Sequence, residues 1–152
     1  MKTIISSAQI YMQFMCHELN YAPTQHAQCI VDVEAETGKP VAGVIYDAYN
    51  GAIIMAHIWV SPDHNPSKDW FCAIFDYPFN RLGVKKIVGQ VNSGNLAARK
   101  LDEHFGFKLE CQVSDFYEDG GSLMVYTMTK EQCRVLNSPL WARAMDRVKR
   151  IQ

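Results

Sequence analysis

A chain of 152 residues, 48% hydrophobic and 20% charged, is long enough for one domain with a substantial core and ordinary for a globular protein. With 15 basic against 16 acidic residues and a net charge of −1, no global field draws it to nucleic acid or a membrane. Five cysteines without a C-x-x-C pair and five histidines without ligand spacing disfavour a zinc ribbon, a redox motif and a disulfide framework, and no metal is expected.

Met1–Ser7 is too short an apolar stretch for a secretory signal, and no run approaches transmembrane length, so a cytoplasmic protein is expected. Residues 7–19 carry Ile10 and Phe14 on one row and Tyr11, Met15 and Leu19 on the next, which predicts an amphipathic helix capped by Ser6 or Ser7. Asn20–Gln28 reads as a loop, of the kind that shapes substrate pockets in many enzymes. Cys29–Ala35 alternates Ile30, Asp32 and Glu34 with Val31 and Val33, the pattern of a half-exposed strand. After the turn Thr37-Gly38-Lys39-Pro40, the runs Val41–Tyr49 and Ala52–Val60 flank Asn50-Gly51, a strong hairpin signal. Residues 29–60 therefore predict a three-stranded antiparallel meander whose last strand, apolar on both faces, is central.

Asn65 as N-cap and Pro66 as first helical residue predict a helix through Trp70, Ile74 and Phe75, kinked or stopped at Pro78. Lys85–Val91 reads as a strand, and residues 95–105 as a helix with Leu96, Ala97, Leu101 and Phe105 apolar. Phe107–Phe116 and Leu123–Met128 are strands joined by a loop holding Asp119-Gly120-Gly121. Thr129 to Gln132 has capping-box spacing, and Ser138-Pro139 opens a last helix with Leu140, Trp141, Ala144, Met145, Val148 and Ile151 as its stripe. The expected class is α+β, with a mixed, mostly antiparallel sheet and one parallel crossing near its middle.

Asn95-x-x-Ala98-x-x-Leu101 followed by Gly106-Phe107, set in this order of elements, resembles the GNAT superfamily of N-acetyltransferases over roughly residues 40–130. Phe79 to Ile87 looks like the matching stretch of the ribosomal-protein-modifying branch, and Tyr126-Thr127-Met128 fits the terminal strand. The resemblance implies a single GNAT-like domain, expected over 1–136; residues 137–152 lie outside the resembling region and read from their own pattern as a basic amphipathic helix packed on that domain or extending it. It also implies a splayed parallel pair, Ala52–Val60 and Lys85–Val91, receiving the pantetheine arm of acetyl-CoA. On that basis Ile58, Trp59, Val60, Ser67, Lys68, Asn95, Ala98 and Arg99 are the candidate cofactor-binding residues. Ser67 and Lys68 would act at a helix N-terminus suited to pyrophosphate. The chain departs from the family in two places. His64 to Asp69 holds no glycine, and Asp102 stands where many members carry an acid tyrosine, leaving the acid role unassigned.

His57, in the middle of Ala52–Val60, is the candidate general base, its competing reading being a hydrogen-bonded core histidine. Asp63 and His64 lie beside the proposed phosphate site and read first as polar loop groups. Tyr46, Asn50 and Tyr117 are the candidate substrate-binding residues, Tyr117 from the acidic loop Ser114–Gly121 that would overhang the amine side. No cysteine is placed as an acyl carrier, so direct attack of a primary amine on acetyl-CoA in a ternary complex is expected, without a metal. The alternative is a catalytically silent CoA-binding protein of the same fold, or a protein or nucleic-acid interaction module using Arg143, Arg147, Lys149 and Arg150. As partners the sequence implies an amine substrate, small molecule or protein. It implies no membrane, disfavours nucleic acid and leaves a homodimer open.

Overall fold

The computed structural model describes residues 1–150. Seven strands form one sheet: β1 (Thr3–Ser6), β2 (Gln28–Glu34), β3 (Pro40–Asp47), β4 (Ile53–Val60), β5 (Lys86–Asn92), β6 (Lys108–Val113) and β7 (Leu123–Met128). Their order is β1-β2-β3-β4-β5-β7-β6. Every neighbouring pair is antiparallel except β4 and β5, which run parallel across the centre. Five α-helices accompany them: α1 (Met12–Leu19), α2 (Lys68–Asp76), α3 (Leu96–Phe105), α4 (Arg134–Asn137) and α5 (Ala142–Arg150). No helix among the described residues is long and apolar enough to cross a membrane.

Strand alternation sorts the core onto two faces. Ala42, Val44 and Tyr46 of β3 pack with α2, α3, α4 and α5 in the larger cluster. Ile45 packs on the opposite face with Val31, Val33 and Met15 of α1. Gly43 permits that second contact, because a Cβ there would run into the Met15 sulfur and the Val31 side chain. Trp70, completely buried, ties α2 to the sheet by donating its indole N–H to the Ile30 carbonyl at 3.1 Å. Residues 137–150 join the same core through Ala144, Met145 and Val148, and Arg147 forks onto Asp69 of α2 at 2.7–3.1 Å.

Several sequence expectations shift. The predicted helix 7–19 begins as a 3-10 turn at Gln9–Tyr11, and Ile10 is exposed rather than packed. β1 was not expected; it is an edge strand stitched to β2 from Thr3↔Glu34 to Ser6↔Val31. β2 is buried rather than half-exposed, and Asp32 within it is fully enclosed. The cap of α2 is Ser67, not Asn65, because the Ser67 hydroxyl accepts from Trp70 N–H at 3.1 Å. Pro78 stops α2, which passes into a wide π-type turn over Tyr77–Leu82 and ends at Gly83 in the left-handed region. Thr129 does form a capping box, around one 3-10 turn at Lys130–Gln132. Ile151, the last residue of the predicted C-terminal stripe, lies outside the described residues.

α3 starts on Asn95, whose side chain accepts from Ala98 N–H at 3.2 Å, and ends on Gly106 at φ 110°. A Cβ on Gly106 would collide with the Gln132 carbonyl, so both backbone angle and space demand glycine. Gly106→Ala is expected to cost at least ~2 kcal/mol of unfolding free energy, read from chemical denaturation.

Candidate active site

β4 and β5 are paired for three residues, Ile53↔Lys86, Ile54↔Ile87 and Met55↔Val88. Beyond them each strand keeps its outer partner, β4 holding β3 as far as Val60 and β5 holding β7 as far as Asn92. The inner edges of 56–60 and 89–92 therefore face each other across a gap with backbone groups free of ladder bonds. A cavity of about 350 Å³ fills this gap, lined by Ala56, His57 and Ile58 on one side and Gly89, Gln90 and Val91 on the other. Leu19 to Tyr21, α3 and the β6–β7 loop complete its walls.

His57 pairs with Ile45 and so points to the α1 face. Its Nε2 is buried without a hydrogen-bond partner among the described residues. Tyr21 lies across the imidazole, ring centroids 3.9 Å apart at 30°. Two local features aim Tyr21 there. Asn20 takes the left-handed conformation that ends α1, and Asp47 accepts the Tyr21 hydroxyl at 2.8 Å. The same carboxylate accepts Thr24 N–H at 2.9 Å and Thr24 Oγ1–H at 2.6 Å, clasping the loop, and Ala48 N–H at 2.9 Å. Ala48 pays for this clasp with a positive φ of 56°. Burial alone would raise Asp47, but the bonds from Thr24, Tyr21 and Ala48 hold it down at about 2. Burial and the Asp47 bond push the Tyr21 phenol up to about 12. Burial lowers His57 from its ordinary value, against the opposing pull of the Asp47 charge, so the imidazole is neutral at pH 7.

Asp102 approaches from the other side of the sheet. On α3 it is 8% exposed and lines the cavity beside Gly89 of β5. Burial first, and the neighbouring Glu103 charge second, raise its carboxyl to about 7. The cleft thus joins a neutral imidazole on one face to a carboxyl that is part-protonated near neutrality on the other. Phe116 and Tyr117 overhang its mouth, held by the Gly121 carbonyl, which accepts both their N–H groups at 3.1 Å.

Of the predicted residues, His57, Ile58, Asn95, Ala98 and Tyr117 meet in this cleft. Trp59 and Val60 contribute strand edge, but their side chains turn away, Trp59 edge-on to Phe14 and Val60 into the main core. Tyr46 is not at the cleft: it is buried on the α2 face, its hydroxyl donating to the Ile74 carbonyl. Asn50 is not there either; its side chain caps the hairpin turn by accepting Ala52 and Ile53 N–H at 2.9 Å. Arg99 turns toward β7, donating to the Tyr126 hydroxyl at 3.3 Å and the Ser93 carbonyl at 3.1 Å. Ser67 and Lys68 lie outside the cavity as well. Ser67 N–H is bound by Asp32 Oδ2 at 2.7 Å, and Lys68 Nζ sits 6.0 Å from the centroid of the Trp141 ring. Sequence reasoning missed Tyr21 and Asp47, which no spacing links, and left Asp102 without a role because its burial cannot be read from its neighbours. A wider recess of about 920 Å³ lies between the end of α2 and the C-terminal helices; Lys149 of the alternative basic face lines it, but no predicted catalytic, cofactor-binding or substrate-binding residue does.

A splayed parallel pair in a mixed sheet with this helix order is the GNAT fold. The chain shares it with solved spermidine N-acetyltransferases of Vibrio cholerae. A manganese complex of that enzyme superposes with a TM-score of 0.69 at 17% identity, covering 91% of this chain and 97% of that one. Its complex with CoA and spermine gives 0.68 at 16%, covering 86% and 96%. A dodecameric form gives 0.69 at 16%, covering 90% and 98%. Neither a protein-family model nor a curated protein matches the sequence. The expected ribosomal-protein-modifying branch gains no support from these structures.

The raised Asp102 predicts a pH-dependent stability. Between the ordinary carboxyl value of ~3.9 and about 7, rising pH ionises the unfolded chain first and so destabilises the fold. Asp102→Asn lacks this dependence. Urea unfolding should find the variant more stable than wild type by roughly 1–4 kcal/mol at pH 8, the difference narrowing toward pH 4.

Proposed function

We propose that the protein is an N-acetyltransferase that moves an acetyl group from acetyl-CoA to a primary amine. The observation that carries this is the splay between β4 and β5, with His57 and Asp102 on its two sides. The free strand edges suit the amide-bearing pantetheine arm, and the cavity volume is within the range of small-ligand sites. The fold relatives that bear the name spermidine N-acetyltransferase, one of them in complex with CoA and spermine, support the same reading. Five free cysteines suit a reducing cytoplasmic setting. Assembly as a homodimer belongs to the proposal too; β6, at the sheet edge and exposed along its length, is the surface that would pair with a second copy.

The donor supplies a thioester-activated acetyl group. His57, neutral and desolvated, takes the proton from the amine nitrogen as the new C–N bond forms. Asp102, holding a proton near neutrality, gives it to the sulfur as the C–S bond breaks. The products are an amide and a free thiol, and both side chains exchange their protons with solvent afterwards. Tyr21, Phe116 and Tyr117 at the mouth, with no lysine or arginine among the described residues lining the cavity, suit a cationic amine that sheds its proton on entry.

The test is acetyl transfer from acetyl-CoA to a panel of primary amines, spermidine among them. His57→Ala should lower kcat/KM by roughly 10²–10⁴ while sparing donor binding. The base must be deprotonated and the acid protonated, so kcat/KM should rise with pH below ~6.5 and fall as pH passes about 7. Asp102→Asn should keep the rising limb and lose the falling one. Donor binding without transfer to any amine would replace this reading with a silent binding protein.

A further inference from the structure

The loop that leaves α1 is shaped around one side chain. Asn20 turns into the left-handed region at φ 48° and ψ 51°, and Tyr21 N–H closes the helix end on the Cys16 carbonyl at 3.1 Å. That turn lays the Tyr21 ring on the His57 imidazole, and Asp47 accepts the Tyr21 hydroxyl at 2.8 Å. Asp47 is within reach because it stands two residues from Ile45 on β3, and Ile45 pairs with His57, so both side chains share one face of the sheet. The carboxylate does not depend on Tyr21 for its own partners, since Thr24 N–H, Thr24 Oγ1–H and Ala48 N–H also bind it. It is a fixed post, and Tyr21 is what it tethers.

His57 lacks such a tether on its Nε2. That nitrogen is buried without a hydrogen-bond partner among the described residues, so no bond there sets the orientation of the ring. What meets the ring face is Tyr21, with centroids 3.9 Å apart and planes at 30°, a stacked contact. A general base works only while its nitrogen is held within hydrogen-bond reach of the proton it takes, and a misplacement of ~1 Å costs about 10²-fold. Packing under a tethered ring supplies the hold that a second hydrogen bond gives many catalytic imidazoles. The titratable groups on the same face as the imidazole are Tyr21 and Asp47. Cys16 of α1 lies beside Tyr21, His17 and Glu18 of that helix are exposed, and Asp102 and Tyr117 line the cavity from α3 and the β6–β7 loop.

We propose that Tyr21 is a positioning residue of the transfer: its ring, tethered to Asp47, holds the His57 imidazole in place for the acceptor amine. The proposal rests on the acetyltransferase reading above and adds a residue to it. A double-mutant cycle tests it, because a residue that acts only through His57 has nothing left to do once His57 is gone. Tyr21→Ala should lower kcat/KM by about 10²-fold in the wild type and by no more than about threefold in the His57→Ala background. Tyr21→Phe, which keeps the ring and loses the tether, should lose less than about tenfold. A loss as large in the His57→Ala background as in the wild type assigns Tyr21 to the amine or to the fold and overturns the proposal. A second measurement needs no substrate. Burial lowers His57 against the pull of Asp47, and the Tyr21 ring covers one face of the imidazole. NMR titration of the His57 ring in the ligand-free protein should therefore show its midpoint rising in Tyr21→Ala and staying near wild type in Tyr21→Phe. An unmoved midpoint in Tyr21→Ala overturns the proposal. A midpoint that rises as expected in a protein that acetylates no amine upholds the hold of Tyr21 on His57 and sinks the acetyltransferase reading.

Discussion

The structure depends on β4 and β5 parting after three residue pairs. Two parallel strands at the centre of a sheet would ordinarily pair to their ends, since an unmet buried backbone group is costly. Here each strand is held from outside, β4 by β3 and β5 by β7, in ladders that run well past the point of divergence. Those ladders fix the angle of the splay, while α3 on one face and the end of α1 on the other hold it open. The free edges this creates are hydrogen-bonding surface of one repeating kind, alternating N–H and C=O. That is a surface suited to a ligand with amides of its own, and it exists whatever the side chains do.

Three buried carboxyls, Asp32 and Asp47 on strands and Asp102 on α3, take three different fates. Asp47 is saturated by Tyr21, Thr24 and Ala48, so it stays ionised and acts as a clasp that lays Tyr21 across His57. Asp32 meets one backbone N–H at the start of α2 and keeps its other oxygen unmet, anchoring that helix over β2. Asp102 has burial and a like charge beside it, and its carboxyl rises to about 7. The residue type is constant; the number and sign of the partners decide whether it becomes a clasp, an anchor or a proton carrier.

Much of the frame was legible from sequence because it is written in local patterns. Asn50-Gly51 marked the β3–β4 hairpin, Thr129 and Gln132 marked a real capping box, and Asn95 with Gly106 bracketed α3 at its true ends. Several of the failures turn on contacts between residues far apart in the chain, the others on which side chain a turn or helix start claims. Asp32 in an alternating strand looks exposed until Ser67, 35 positions away, is found donating to it. Asn65-Pro66 looks like a helix start until the Ser67 hydroxyl is found accepting Trp70 N–H, which moves the cap to Ser67. Tyr46 and Asn50 were near enough to the hairpin to suggest the cleft, but the parity of β3 sends Tyr46 to the α2 face and the turn claims the Asn50 side chain. Asp102 was correctly located on α3, yet its ability to hold a proton comes from its burial beside Gly89.

The division of the site between the two faces of the sheet bears on how the proposed transfer must run. His57 stands on the α1 side and Asp102 on the α3 side, with the gap between β4 and β5 as the passage from one to the other. An amine arriving under Tyr21 and a thioester arriving along α3 would meet inside the gap without exchanging places. A covalent acyl-enzyme would need a nucleophile there, and none of the five cysteines lines the cavity: Cys29, Cys72 and Cys133 are buried elsewhere, Cys16 is on α1 and Cys111 is exposed on β6. With no cysteine there to carry the acetyl group, the proposed transfer is a direct one, with both substrates in the gap together.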